Sequence, residues 1–532
     1  MGASGWFAVG GSNGVADPNN DSPQETELWI CGGGKWAARN IYVGGANSST
    51  DYSGRLVITN GIFGSGISSG KTAQSPVSIL IHNVVNLYNG SLLVAGGSDA
   101  VALNVSNQFN VAHMEGGNFS AVFDGNASLK MLNSGGYISI GVGANSTGTL
   151  ELRNGASAST KDNFTVCAGH ESTGTFKMSG GTLTVGKAVY LGGAGSGDSG
   201  RRDTKAKFIM TGGTATSANN TEIGNFTGST TGGYALLSLS GGASYTANNH
   251  LLVGAASGTL KDQTWIAVTN ATMTVNWHAY IHGGNGGIAL GNGAVFSVRG
   301  DHGITTAYGG RGYAGVGGDF TITIGAGSVL QTQLFKYDEA SKGNNQNVAI
   351  AFEGGTLRAA VDTPQFIPAK DRLTVTVNSN GGIIDTNGKS VTIPANIAAA
   401  GGAASGDLKV TGSGTVTFTG SLAFGGAIDK SPETSLKLSS NAASSLFGSN
   451  GGELKARLAS DAAAGTVLFT YSEAPESEPD AAMLRAIKNG LSYADAAKEA
   501  ATPAKRAFRA VYDANAKQVK LGAPLGVILL AR

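Results

Sequence analysis

Two histidines, three tyrosines and a pair of arginines are the side chains of this sequence whose types and spacing could do chemistry. His250 and His278 each stand three residues before the last apolar residue of a short alternating run, Leu251-Leu-Val253 and Ala279-Tyr-Ile281. If those runs are neighbouring parallel strands, the two backbones lie about 4.8 Å apart, and the imidazoles could share a metal ion or pass a proton. Asn40, Asn163 and Asn220 hold the same position before their own runs. A ladder of stacked polar side chains is therefore the expectation, and no metal site is predicted. Tyr42, Tyr190 and Tyr280 each stand one residue before the run's end, where exposed rings would stack on sugars or on a partner's side chains. Arg201 and Arg202 lie in the densest charged loop, Asp198-Ser-Gly-Arg-Arg-Asp203; a guanidinium there could pair with a uronate carboxylate, while a solvated loop insertion is the plainer reading.

Other candidates fail on spacing. Ser65-Gly-Ile-Ser-Ser-Gly-Lys-Thr72 nearly spells a phosphate loop, but Ser65 replaces the first required glycine and no helix pattern follows. Asp17, Asn19, Asn20 and Asp21 offer oxygen ligands without the glycine-rich nonapeptide repetition of calcium-binding solenoids. Cys31 and Cys167 are far apart and in no metal-like spacing, so neither a disulfide framework nor a zinc site is indicated. Acid/base or calcium chemistry would need carboxylates at matching positions of successive repeats, and the sequence does not align them. No catalytic residue is assigned and no cofactor is predicted.

The elements that must position these residues are short strands. Tyr137-Ile-Ser-Ile-Gly141, Phe164-Thr-Val-Cys-Ala-Gly169, Thr182-Leu-Thr-Val-Gly186 and Val189-Tyr-Leu-Gly-Gly193 alternate apolar and polar residues and stop at glycine. Period-two alternation marks a half-buried strand, and the glycine supplies the turn. Aligning the last apolar residue of comparable runs gives Val43, Val94, Ile140, Val166, Leu191, Ile223, Val253, Ile281 and, more loosely, Tyr308, most spaced by roughly 25 to 32 residues. One further coil is expected between Val43 and Val94, and another between Val94 and Ile140. Ile41, Ile138, Phe164, Val189 and Leu251, two residues earlier, share the inward face; Tyr42, Ser139, Thr165, Tyr190, Glu222, Leu252 and Tyr280 should point outward. The fold class is thus all-β: a right-handed parallel β-helix with three strands per coil, about 25–30 residues per coil, and a small α+β C-terminal module. A lone coil of this size cannot offset its conformational entropy by its own burial, so coils must stack.

The expected organisation is an N-terminal cap over residues 1–35, a solenoid over 36–425 and a capping module over 426–532. Pro479 to Gly490 and Tyr493 to Ala501 read as helices, with strands at Val467-Tyr471, Ala510-Tyr512 and Gln518-Leu521. The 532 residues include 84 glycines and only 11 prolines without a strict triplet period, which excludes collagen. Charged residues are 13 % and the formal net charge is +1, so nothing in the electrostatics points to nucleic acid or anionic lipid. No apolar run reaches the roughly 18 residues of a membrane-spanning helix, and Met1-Gly-Ala-Ser-Gly-Trp6 does not resemble a signal peptide.

Gly355-Thr-Leu-Arg358, Gly382-Ile-Ile-Asp-Thr-Asn-Gly388 and Leu408-Lys-Val-Thr-Gly-Ser-Gly-Thr-Val-Thr-Phe-Thr-Gly420 resemble the autotransporter-associated β-strand repeats of large bacterial surface proteins. The close match covers about 70 residues. The resemblance implies a β-helix, an extracellular or cell-surface location and no catalytic residues; the translocator barrel usual in such proteins is missing. The resulting expectation is a non-enzymatic structural or adhesive segment presenting an extended face to glycans or surface proteins, and able to self-associate through its edges or faces. The competing expectation is a polysaccharide lyase or hydrolase of the same fold acting on acidic polysaccharide.

Overall fold

The computed structural model describes residues 6–9, 24–31, 35–44, 52–59, 77–81, 83–192, 203–224, 232–254, 262–281, 283–306, 317–337, 346–402, 406–448, 452–475 and 477–523. The chain is mostly β, with 55% in strands, and forms a right-handed parallel β-helix with few helices. Two compact units divide it: Met1–Gly287 with Tyr308–Gly318 and Glu339–Gln346, and Ile288–Ala307 with Asp319–Asp338 and Asn347–Arg532.

In the first unit three parallel ladders run side by side. The short-strand ladder proceeds from Trp6–Val9 and Asn40–Val43 through Val84–Leu87, Gln108–Val111, Tyr137–Ile140, Phe164–Val166, Val189–Leu191, Thr221–Ile223 and Leu251–Val253 to Ala279–Ile281. A second face includes Gln24–Cys31, Tyr52–Thr59, Thr147–Arg153, Thr173–Met178, Lys205–Met210, Tyr234–Leu239 and Gln263–Val268. A third includes Ser157–Thr160, Thr182–Val185, Thr214–Ser217, Ser244–Ala247 and Thr272–Val275. Trp6–Val9 and Gln24–Cys31, in the segment expected as a cap, join these ladders. Ion pairs link successive coils at one repeat's separation, Arg55 to Glu27 at 2.7 Å and Lys187 to Asp162 at 2.8 Å.

The corner after each short strand explains the glycine punctuation. Gly141 and Gly192 follow Ile140 and Leu191 with φ of 63° and 69°, a conformation that costs glycine nothing. Ala112 (φ 54°) and Cys167 (φ 64°) take the same corner after Val111 and Val166. Two anchors therefore escape the sequence pattern, since Leu87 is followed by Tyr88 and Val111 by Ala112. The predicted anchor Val94 lies instead on the second face, paired with Ile58 and Phe123. One long coil joins Val43 to Leu87, without the additional one expected there, whereas Val111 supplies the coil expected before Ile140. Tyr308 lies outside the described residues.

Inward residues fill the coil. Val166 and Leu191 are 0% and 1% exposed. Phe164 meets Phe176 edge-on at 5.0 Å, Phe176 meets Phe208 at 4.6 Å, and Phe208 meets Tyr245 at 5.7 Å. This internal aromatic column is closed by a 2.7 Å hydrogen bond between the Tyr245 and Thr221 hydroxyls, which satisfies a phenol that burial would otherwise penalise. Cys167 is buried beside it, and burial pushes its thiol up to about 12, so it is an inert core residue.

In the second unit, Val329–Thr332, Thr356–Ala359, Gly382–Asp385, Leu408–Thr411, Ala427–Lys430, Glu453–Leu458 and Leu491–Tyr493 form one parallel ladder. Another, Ser390–Ile393, Thr415–Phe418, Ser435–Leu438 and Val467–Tyr471, ends when Gln518–Gly522 and Arg509–Asp513 add antiparallel. Parallel pairing thus continues past residue 425 before the α+β ending takes over. Helix α1 (Ser440–Phe447) starts where the Ser439 hydroxyl accepts from Ala442 N, and α2 (Ala481–Asn489) starts where Asp480 accepts from Met483 N at 2.7 Å. Helix α3 (Ala496–Ala501) is capped by Asp495, and α4 (Ala504–Ala507) follows Pro503. The two predicted helices correspond to α2 and α3; α1 and α4 have no counterpart in the sequence reading.

Candidate functional site

The backbone register of the short-strand ladder sets one column: Tyr42, Asn86, Asn110, Ser139, Thr165, Tyr190, Glu222, Leu252 and Tyr280. Its order matches the predicted outward column, with Asn86 and Asn110 added by the coils that end at Leu87 and Val111. A single carboxylate, Glu222, and one aliphatic side chain, Leu252, stand among amides, hydroxyls and rings. The column is less exposed than the alternation predicts, because Asn110, Ser139, Thr165 and Tyr280 are all buried. Asn110, Ser139 and Thr165 are small side chains in strands of three or four residues, held between flanking turns, whereas the Tyr280 ring is covered by stacking on His278.

Asparagines reinforce the ladder. Asn40 Oδ1 accepts from Val84 N at 3.4 Å, Asn163 Oδ1 from Ala188 N at 3.2 Å and Asn220 Oδ1 from His250 N at 3.4 Å. Each amide thus reaches the same position of the next coil, as a polar ladder requires. Nearby, Asn133 donates to Asn107 at 2.6 Å and Asn107 to Asn83 at 2.8 Å, while Asn110 donates to Asn86 at 2.9 Å.

Two ring clusters interrupt the amides. In the first, Tyr42 stacks on Tyr88 with centroids 6.0 Å apart and planes at 22°, and Tyr88 meets His113 at 5.7 Å. Burial raises the Tyr88 phenol, opposed by a hydrogen bond from Asn86, and burial lowers the His113 imidazole. In the second, His250 lies 5.3 Å from His278 and 5.1 Å from Tyr280, with Tyr280 stacked on His278 at 5.7 Å and 20°. Trp277 closes this group at 5.4 Å from His278 and 5.7 Å from His250, and remains 54% exposed. His278 and Tyr280 are 3% and 7% exposed, so the indole is the surface of the cluster and the other two rings are its floor. Burial lowers the pKa of His250, which keeps it neutral and packed near neutral pH.

The structure therefore brings His250, His278 and Tyr280 together and places Tyr42 in a separate group. Tyr190 stands apart from both, with Thr165 and Glu222 on the adjoining coils. Arg201 and Arg202 lie outside the described residues. Trp277, Tyr88 and His113 carry no alternation signal because they occupy the turns beside the strands; an aromatic residue next to a strand anchor was the available clue. The arrangement offers flat π-faces and amide hydrogen bonds, which suits recognition of sugar rings or aromatic side chains.

The second unit holds a cleft of about 870 Å³ between α1 and α2, lined by Phe447, Tyr471, Glu478, Asp480 and Met483 among others. Burial pushes the Tyr471 phenol up to about 12, and its hydroxyl donates to Met483 Sδ at 3.9 Å. Asp480 is committed to the α2 cap. No family model, curated protein or solved structure matches the chain.

Proposed function

We propose that the protein is a non-enzymatic β-solenoid of the bacterial cell surface or extracellular space, presenting the short-strand face of its first unit to glycans or partner proteins. The observation that carries this reading is the ring cluster on that face, where the Trp277 indole, 54% exposed, rests on the buried His278 and on His250 at the end of a column with one carboxylate, Glu222. Glycoside hydrolysis and lyase chemistry draw on convergent acids and bases, whereas stacking on a ring needs only an exposed, rigid aromatic face. Trp277, braced by His250 and His278, supplies such a face. The resemblance of Gly355 to Gly420 to autotransporter-associated repeats supports an exported, passenger-like role.

The test is binding of the full chain to a glycan array and to bacterial or host cells. Saturable binding reduced at least fivefold by Trp277→Ala, with an unchanged melting temperature, is the expected result. Release of reducing or unsaturated sugars from a polysaccharide panel would replace this reading with the enzymatic one.

A further inference from the structure

On the second face of the first unit, three lysines and two aromatic residues form a grid. The register aligns Thr173, Lys205, Tyr234 and Gln263 in one outward column, Thr175, Lys207, Leu236 and Trp265 in the next, and Lys177, Ile209, Ser238 and Ala267 in a third. The inward residues between them, Phe176, Ala206, Phe208, Ala235, Leu237 and Ile266, are fully buried, so the grid is held by a rigid core. Lys177, Lys205, Lys207 and Trp265 are exposed.

Among the described residues none of the three lysines makes an ion pair, although Arg153 and Lys187 on the same coils do, with Asp124 and Asp162. Three acids border the grid: Glu151 beside Lys177 on the preceding coil, Asp203 two residues before Lys205, and the buried Asp262 one residue before Gln263. The Asp203 Oδ1 accepts from Gly232 N at 2.8 Å. Lys205 and Lys207, exposed and without an ion pair among the described residues, are the cations at the centre of the grid.

We infer that this face binds an anionic polysaccharide, with Lys177, Lys205 and Lys207 pairing its carboxylate or sulfate groups and Trp265 stacking on a sugar ring further along the axis. Alternate residues of a strand are about 6.8 Å apart and successive coils about 4.8 Å. Lys207 and Trp265, two coils apart in one column, are therefore separated by roughly the length of a disaccharide. Tyr234, one coil beyond Lys205, adds a second ring at the edge of the path. Lysine suits this task because its mobile ammonium tolerates irregular spacing of acidic groups along a polymer. The inference rests on reading the chain as a binding solenoid, but it uses a different face from the Trp277 cluster.

Affinity electrophoresis of the full chain through gels containing heparin, polygalacturonate or neutral dextran tests it. Retention by an acidic polymer, absent with dextran and falling steeply with added salt, is expected; retention by polygalacturonate shows that carboxylates suffice, and retention by heparin alone assigns sulfate. The double variant Lys205→Gln/Lys207→Gln should weaken retention at least tenfold and Trp265→Ala several-fold, each with an unaltered melting curve. Lys177→Gln gives an independent check with a smaller loss. Equal retention by dextran, indifference to the lysine variants, or equal retention by duplex DNA with no effect of Trp265→Ala would overturn the assignment. Persistence of Trp277-dependent binding in the lysine variants would separate failure here from failure of the proposed function.

Discussion

Cys167 marks the boundary between what a residue type suggests and what its position makes of it. A cysteine invites a redox role, yet this one occupies a left-handed corner in the core with its thiol pushed up to about 12. Position also separates Val166 from residues of the third face. Val166→Asp puts an unpaired carboxylate into a dry coil and should cost about 4 kcal/mol or more, seen as loss of the cooperative transition in urea. Thr184→Asp, on an exposed outward position, should cost less than about 1 kcal/mol; equal damage at the two would contradict the inward assignment. Thr165 would be a poor control, because its outward position is buried. His250 yields a pH prediction. Its folded pKa lies below the ordinary imidazole value because of burial, so between the two values the unfolded chain binds more protons and stability falls as pH drops below about 6.5. His250→Asn, which restores the residue found at Asn220, should flatten that dependence in melts between pH 7 and pH 5; an unchanged slope would exclude His250 as its source.

At the scale of the element, the asparagine ladders and turn glycines decide how a coil joins the next. Asn107 donates to Asn83 and accepts from Asn133, so Asn107→Ala should cost about 1 kcal/mol per interrupted bond, measured by urea denaturation. No change would mean that water replaces the amide at no cost. The same elements show what the sequence makes legible. Val43, Ile140, Val166, Leu191, Ile223, Val253 and Ile281 are readable because alternation is strict and a left-handed corner favours glycine. Val94 misleads because Ala95-Gly-Gly97 imitates that corner inside a long strand of the second face. The column bringing His250 beside His278 is likewise readable from spacing alone. Trp277, Tyr88 and His113 are not, because a turn residue's direction depends on tertiary packing rather than on period. The lysine grid is hidden for another reason: Lys177, Lys205 and Lys207 become neighbours only when strands separated by one coil are laid in register.

At the scale of the molecule, parallel stacking needs an ending. In the second unit the ladder of Val467–Tyr471 stops at an antiparallel hairpin, Arg509–Asp513 with Gln518–Gly522, against which α2 packs. Removing everything after residue 425 would expose strand edges such as Thr415–Phe418 to other chains. That truncated protein should keep β-type circular dichroism but associate as its concentration rises in analytical ultracentrifugation. A monomer that melts like the full chain would make the terminal module an appendage with its own role, for which the cleft beside Tyr471 is the place to look. A binding solenoid retains polysaccharide without turning it over. The most direct measurement incubates the full chain with a panel of neutral and acidic polysaccharides and follows both retained protein and released sugar ends. Saturable retention with no reducing or unsaturated ends after prolonged incubation is the predicted result; time-dependent release that scales with protein concentration would contradict it.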